Sequence, residues 1–510
     1  RFISAPTENS HSQRRITRDD YGMIWNIAHT GILVVLVICV GMMAFGWLDQ
    51  DSNGHASRLP GGRSILIAAD DSPTESKMVA DYLCDGAADE IEIQNALNTF
   101  GSAGGTVTLA RGTFYLSGDL EIPGSVIFQG GGPDVTRLKW SSGIMRCREV
   151  QDILLRDFTT TGTGAVFIQN CDRVKVHNVT ATVDNSRWGG AFTLWVSSDI
   201  MEDIEFVNCR AIDCGRMGFM NDGDGSPRLI RDIRYIDCEA INSGRDSRFS
   251  PYGEWVTGFA IAENNHLADT ILVGCVAEGS FESGFHTEDV PEVTNLVFEN
   301  CISRYNGQKS DSFYNPSENT HGLHFGSGYW VQGETMLSDC ISEGNGNAGF
   351  SVGPGVSLYN CTDDGSAVGF RLVDTRDVYL EDCTSLNAGA YAVYALEAEN
   401  VTTKHLQMID PGGVDGNGAF FGTAAHPVTT SRFDVVGRCS EEIRAIYGEG
   451  CRDLIFTGVV RADHPEPVFI KRGDGLDTTG LEIRSGSMNP ARNSTNPLRD
   501  LLVRIILMFI

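Results

Sequence analysis

Between Phe158 and Leu406 apolar and polar positions alternate in short runs, and one run keeps returning. It reads I-E-F-V-N-Cys209, I-R-Y-I-D-Cys238, T-I-L-V-G-Cys275, L-V-F-E-N-Cys301, T-M-L-S-D-Cys340, V-S-L-Y-N-Cys361 and V-Y-L-E-D-Cys383. Phe158, Val179 and Leu406 fill the cysteine slot at the ends of the array. Residues five and three before the slot are mostly apolar (Ile204/Phe206, Leu296/Phe298, Val356/Leu358), so period-2 alternation points them inward. The Asn or Asp just before it (Asn208, Asp237, Asn300, Asp339, Asn360, Asp382) suits a tight corner, where its side chain bonds nearby backbone and tolerates a left-handed conformation. A glycine step then follows in most copies: Gly218-Phe219, Gly258-Phe259, Gly284-Phe285, Gly322-Leu323, Gly349-Phe350 and Gly369-Phe370. The shortest periods, Cys340 to Cys361 and Cys361 to Cys383, are 21 and 22 residues, too short for a helical hairpin. Three short strands and three corners per coil predict an all-β, single-stranded parallel β-helix.

The slot accepts Phe, Val and Leu, so it wants an apolar side chain, and Cys serves there as a small buried hydrophobe. The seven cysteines are expected to stack as thiols inside the solenoid rather than to bind metal. Cys439 and Cys451, outside the array and 12 apart, are the disulfide candidates.

Outside the array the pattern changes. Residues 1–20 are polar, and 21–48 carry no charged residue, a length that crosses a bilayer as a helix. Arg14, Arg15 and Arg18 favour that side inside. The expectation is a cytoplasmic tail (1–20), a single-pass anchor in the cell membrane (21–48) and an extracellular β-helix. A secretory signal is the alternative. A polar linker (49–62) leads to a strand over Ser64–Ala69 and an amphipathic helix over Asp85–Phe100. The helix face Ile91, Ile93, Ala96, Leu97 and Phe100 would cap the open end of the solenoid. Cap and first coils take 63–140, the repeats 141–485, with last strands near Asp453–Val460 and Val468–Lys471. A C-terminal tail takes 486–510.

The run A-D-Y-L-C-D-G-A-A-D-E-I-E-I-Q-N-A-L (Ala80–Leu97) resembles the opening of pectate-lyase-superfamily (pectin-lyase-like) domains. So do G-G-T-V-T-L-A-R-G-T-F-Y-L-S-G-D-L-E-I (Gly104–Ile122) and S-V-I-F-Q-G-G-G-P-D-V-T-R-L-K-W (Ser125–Trp140). The resemblance implies a right-handed β-helix and suggests a carbohydrate partner. It transfers no catalytic residue, because the opening is scaffold. The chain has no N-T-D-G with G-H-G, no W-x-D-H and no D-P-H-D or D-P-H-E.

The net charge of −28, with only six lysines, disfavours a nucleic-acid partner, which needs a basic surface. Function should sit where coils lengthen, and the long steps all lie between Val179 and Cys340. The two largest additions, near Arg245–Val256 and Gln308–Thr320, fall at one corner with a single coil between them. They would wall a cleft, with Arg245, Arg248, Tyr252, Glu254, Trp255 and Tyr314, beside Lys309 and Phe313, as contacts to a sugar chain. The other reading is that these aromatics pack the loops against the coil.

Taking the residue after each glycine as inward, the next column outward reads Met220, Ala260, His286, His324, Ser351, Arg371. His286 and His324 then lie one strand spacing, ~4.8 Å, apart. A second outward column reads Asp222, Ala262, Glu288, Gly326, Gly353, with Glu263 and Asp289 beside it. His286 or His324 as base, with Glu288, Asp289 or Glu263 as partner, would serve elimination from a uronate. Glu263 with Glu288 would serve hydrolysis. No cofactor is implied, although Asn221–Gly225 (N-D-G-D-G) offers Asp222 and Asp224 to calcium or, more simply, a tight turn. The expected function is a cell-surface protein that cleaves polysaccharide in a cleft over 254–330. The alternative is a non-catalytic surface glycan-binding, adhesin or envelope-structural protein of the same fold.

Overall fold

Each repeat folds as one coil of an all-β parallel solenoid of the right-handed type, with about 13 turns. The computed structural model describes residues 62–484, except 185–188, 226–227, 245–255, 289–291, 308–325, 414–415, 441 and 472–474. The expected membrane segment 21–48 lies outside them. Among the described residues no helix is long and apolar enough to cross a membrane.

Three strands per coil pair in parallel with their equivalents on the next coil, which builds three faces. One face holds the strands before the cysteine slot, such as Ile200–Val207 on Leu229–Ile236. A second holds those after it, such as Arg210–Ile212 on Glu239–Ile241. The third holds the glycine-step strands, such as Gly190–Val196 on Met217–Gly223. The corners follow from the sequence: Asn208, Asp237, Asn300, Asp339, Asn360 and Asp382 all have φ between 51° and 56°. Gly274 takes that corner at φ 64°, where a Cβ would sit 2.4 Å from Asp237 Oδ1. Asparagine side chains also tie corner to corner; Asn208 Nδ2 donates to Asn178 Oδ1 at 3.1 Å.

Inside, like residues stack. Phe192, Phe219, Phe259, Phe285, Tyr329, Phe350 and Phe370 form one column with ring centroids 4.6 to 5.4 Å apart. Such pairs contribute about 0.5–1.5 kcal/mol each beyond area burial. Cys209 to Cys383 form a second column, every member fully buried and unbridged. Burial pushes the Cys209 and Cys275 thiols well up, so they stay protonated.

Two expectations fail here. Cys439 and Cys451 are not joined; each is buried at its own corner, and the Cys451 thiol donates to Phe421 O at 3.3 Å. The N-terminal helix is shorter than expected, Glu90–Asn98, preceded by a second helix, Thr74–Val79. Ile93, Ala96, Leu97 and Phe100 enter the core, but Ile91 is 57% exposed. Asp89 ends the preceding turn, its carboxylate accepting from Gly86 N and Tyr115 N, so Ile91 falls in a first turn that faces away from the strands. The last strands are Ile455–Arg461, Val468–Lys471 and Asp477–Arg484.

Candidate functional site

Three neighbouring strands of the third face carry a buried polar cluster: Met217–Gly223, Phe259–Ala262 and Phe285–Thr287. Their aromatic residues point into the stack, and alternation turns the next residue outward. The paired outward column reads Met220, Ala260, His286, Trp330, Ser351, Arg371. Trp330 therefore holds the place beside His286 that was expected for His324. Tyr329, not Leu323, fills the aromatic column between Phe285 and Phe350, at 5.0 and 4.9 Å, so Gly328-Tyr329 is the step on this coil. Trp330 follows it, its ring 4.3 Å from that of His286. His324 itself lies outside the described residues. So do Asp289, Arg245, Arg248, Tyr252, Glu254, Trp255, Lys309, Phe313 and Tyr314.

The second outward column also differs from expectation, and the cause is one residue. Ala260 pairs with His286, but Ala262 pairs with Thr287, so Ile261 is extra. Bulges of this kind re-aim side chains. This one removes Ala262 from the column and brings Glu263 opposite Glu288. The backbone agrees: Glu263 N donates to Asn221 O at 3.2 Å and Glu288 N to Ala262 O at 2.8 Å. Asp222, Glu263 and Glu288 thus occupy successive coils. Gln332, not Gly326, comes next, and its side-chain amide donates to Glu288 O.

The cluster is dense in charge. His286 is 1% exposed; its Nε2 lies 3.3 Å from Glu288 Oε1 and its Nδ1 3.7 Å from Glu282 Oε1. Glu263 is 6% exposed, and its Oε1 has no hydrogen-bond partner among the described residues. Burial pushes the Glu263 carboxyl up to about 8; His286 opposes that, while Glu288, Asp222 and Glu282 add to it. Burial alone would lower His286, but the hydrogen bond to Glu288 and the charges of Glu263, Glu282 and Glu288 raise it above its ordinary value. Burial lowers Arg216, against the support of Glu263 and Asp222.

Glu263, His286 and Glu288 offer ligand atoms within 4.8 Å of one another, a set that can hold a cation. Cys84, Asp89 and Glu92 make another among the described residues, although both Asp89 oxygens already accept backbone N–H groups. The Asn221–Gly225 run is part strand and part bend. Asn221 to Gly223 end a strand, Asp222 Oδ1 accepts from Gly223 N and Asn264 Nδ2, and Asp224 pairs with Arg228.

Sequence reasoning missed Arg216 and Glu282. Both lie two residues before the glycine step, in a column that otherwise reads Val256, Gly326, Asn347, Ala367. A charge among small and neutral residues at one repeat position was the available signal.

Fold and site together define a parallel β-helix with an acid–base cluster on one face. No protein-family model matches the chain, and no curated protein sequence matches it. Solved structures do. The A-module of the mannuronan C-5 epimerase AlgE4 of Azotobacter vinelandii is 16% identical, with 79% of this chain and 97% of that one covered and a TM-score of 0.34. The catalytic domain of a GH87 alpha-1,3-glucanase in complex with nigerose is 10% identical over 79% and 67%, with a TM-score of 0.38. Pectate lyase Pel9A is 16% identical over 66% and 79%, with a TM-score of 0.38. All three are parallel β-helix proteins, as this chain is. The likeness goes no further; the chemistry below rests on this chain's own residues.

Proposed function

We propose that the chain breaks glycosidic bonds of a polysaccharide by hydrolysis, with Glu263 as the proton donor and Glu288 as its counterpart carboxylate. One observation carries this reading: two carboxyls on adjacent coils stand in unlike surroundings. Glu263 is buried and, with its pKa raised to about 8, holds a proton at neutral pH; Glu288 has a side chain 21% exposed. Carboxyls in such unlike surroundings can divide the acid role from the base or nucleophile role. Their nearest oxygens fall within 4.8 Å. That is closer than the roughly 6.5–9.5 Å at which an inverting enzyme seats a water between its carboxyls, and it favours the retaining mechanism, whose carboxyls stand nearer each other. Glu263 would protonate the leaving oxygen while Glu288 attacks the anomeric carbon, and water would then release the sugar with configuration retained.

His286 fits this chemistry better than elimination. Its raised pKa favours the imidazolium, which cannot take a proton from a uronate but can steady the charge of Glu288. The apolar run 21–48 is the reason to place the enzyme at a cell surface.

The test is release of reducing ends from a panel of neutral and acidic polysaccharides, read beside absorbance from unsaturated ends. Reducing ends without absorbance, lost in Glu263→Gln, are expected. Absorbance that needs His286 would replace hydrolysis by elimination. Glycan binding without any cleavage would leave the non-catalytic surface protein as the reading.

A further inference from the structure

Glu282 is a buried carboxyl whose place in the coil does not call for one. It is 1% exposed, at the corner between the strands Val276–Glu278 and Phe285–Thr287. Neighbouring coils hold that corner by its backbone: Phe281 N donates to Ser243 O at 2.8 Å, Glu282 N to Val256 O at 3.2 Å and Gly284 N to Ser327 O at 3.1 Å. None of these bonds needs a carboxyl side chain. The same place on other coils is taken by Val256, Gly326, Asn347 and Ala367, so the corner itself accepts uncharged residues. Taking a carboxylate out of water costs stability that an apolar side chain of similar size would not.

The carboxyl faces His286. Glu282 Oε1 lies 3.7 Å from Nδ1, and Glu288 Oε1 lies 3.3 Å from Nε2. Each ring nitrogen thus has a carboxylate before it, one in the interior and one toward the open face. Phe285, stacked at 4.9 Å on Phe259 and 5.0 Å on Tyr329, fixes the main chain beside the ring. Packing does not choose which way the ring lies, because turning it over about Cβ–Cγ exchanges nitrogen for carbon with almost no change of outline. Polar partners make that choice. Turned over, the ring would set carbon against both carboxylates. As it lies, Nδ1–H has Glu282 as acceptor and Nε2–H is aimed at Glu288. The distance of 3.7 Å is long for a hydrogen bond, as those of catalytic groups often are before substrate binds.

We infer that Glu282 is a positioning residue: from the interior it holds Nδ1 of His286, so that Nε2 stays on Glu288 and that carboxylate is kept in place to attack. Its consequence for turnover rests on the hydrolytic reading; its effect on the ring does not. Full-length protein labelled with 15N-histidine gives the first readout, the imidazole N–H protons near neutral pH, assigned by their loss in His286→Gln. Wild type should show an Nδ1–H of His286 that exchanges slowly with water. Glu282→Met should lose it, and Glu282→Gln, whose amide oxygen still accepts, should keep it.

The second readout is release of reducing ends. Glu282→Met should lower kcat roughly 10²-fold, the scale of a misplaced group, with KM within about twofold, and Glu282→Gln should recover most of the loss. The urea midpoint of Glu282→Met should be no lower than that of wild type, since an apolar side chain replaces a buried charge. Glu282→Leu takes its place if the methionine variant does not fold. An Nδ1–H signal absent from wild type or unmoved in the apolar variant, an unchanged kcat, or failure of both apolar variants to fold overturns the inference. Reducing ends that still need Glu263 would then leave hydrolysis standing. If wild type cleaves no glycan, hydrolysis falls, and the Nδ1–H signal alone decides whether Glu282 holds the ring.

Discussion

Glu263 and Asp363 are two buried carboxyls with the same displacement and opposite settings. Both are pushed up to about 8, and burial is the largest cause for each. Glu263 faces outward among His286, Glu288, Asp222 and Glu282. Asp363 faces inward, on a column that reads Ala277, Ser303, Ser342, Asp363, Ser385 along the coils. Its company is hydroxyls and amides: Ser342 and Ser366 hold its shift back, and Asn345 and Asn306 continue the polar file. A displaced pKa therefore does not mark a site by itself. What separates the two is whether other titratable groups converge on the same open face. Asp363 lies wholly in the interior, where burial keeps its proton on.

The widest separation between them should be in turnover. Glu263→Gln is expected to cost roughly 10²–10⁴ in reducing-end release, the usual worth of a positioned acid. Asp363→Asn should stay within about twofold of wild type, a small change on the same scale. An equally inert Asp363→Asn would erase the distinction.

Next comes the pH profile. Activity should fall as pH rises through about 8, where Glu263 loses its proton, and that limb should not move in Asp363→Asn.

Stability should respond to both acids. A carboxyl with a raised folded value binds its proton more tightly when folded. Its contribution is full below the ordinary values of 4.5 and 3.8 and is lost as pH rises toward about 8. Urea midpoints should therefore drop between pH 5 and pH 8.5, and drop less in Asp363→Asn. A midpoint that rises over this window would show that neither carboxyl keeps its proton.

The smallest effect belongs to Ser366→Ala. It removes a hydroxyl that both restrains Asp363 and accepts from Asn345 N at 3.2 Å, and should cost about 1 kcal/mol in urea unfolding. Turnover should not change.

The fold was legible because its causes are local and repeated. The apolar pairs before each slot and the left-handed Asn or Asp at each corner are properties of single coils, so a period-2 reading finds them. The columns on the third face depend instead on how coils lie against one another. Two glycine steps within eight residues, Gly322-Leu323 and Gly328-Tyr329, were equally good locally; only the stack of Phe285 and Phe350 chooses the second. Ile261 looks like any strand residue, yet as the bulge it decides which residue meets Glu288. Cys439 and Cys451 are close in sequence, but a solenoid carries each to its own corner. His286 and Glu288 were found because they follow a glycine step that does sit in register.

The constant coil register also makes the solenoid a ruler. Position along the third face is quantised: a side chain can move relative to the acid pair only in whole coils. Coil length changes without altering that scale: Trp330 pairs with His286 although 44 positions separate them, and Ser351 pairs with Trp330 across only 21. Drift in loop length is therefore neutral for reach, whereas duplication or loss of one coil would reset how far a side chain of this face stands from the acid pair.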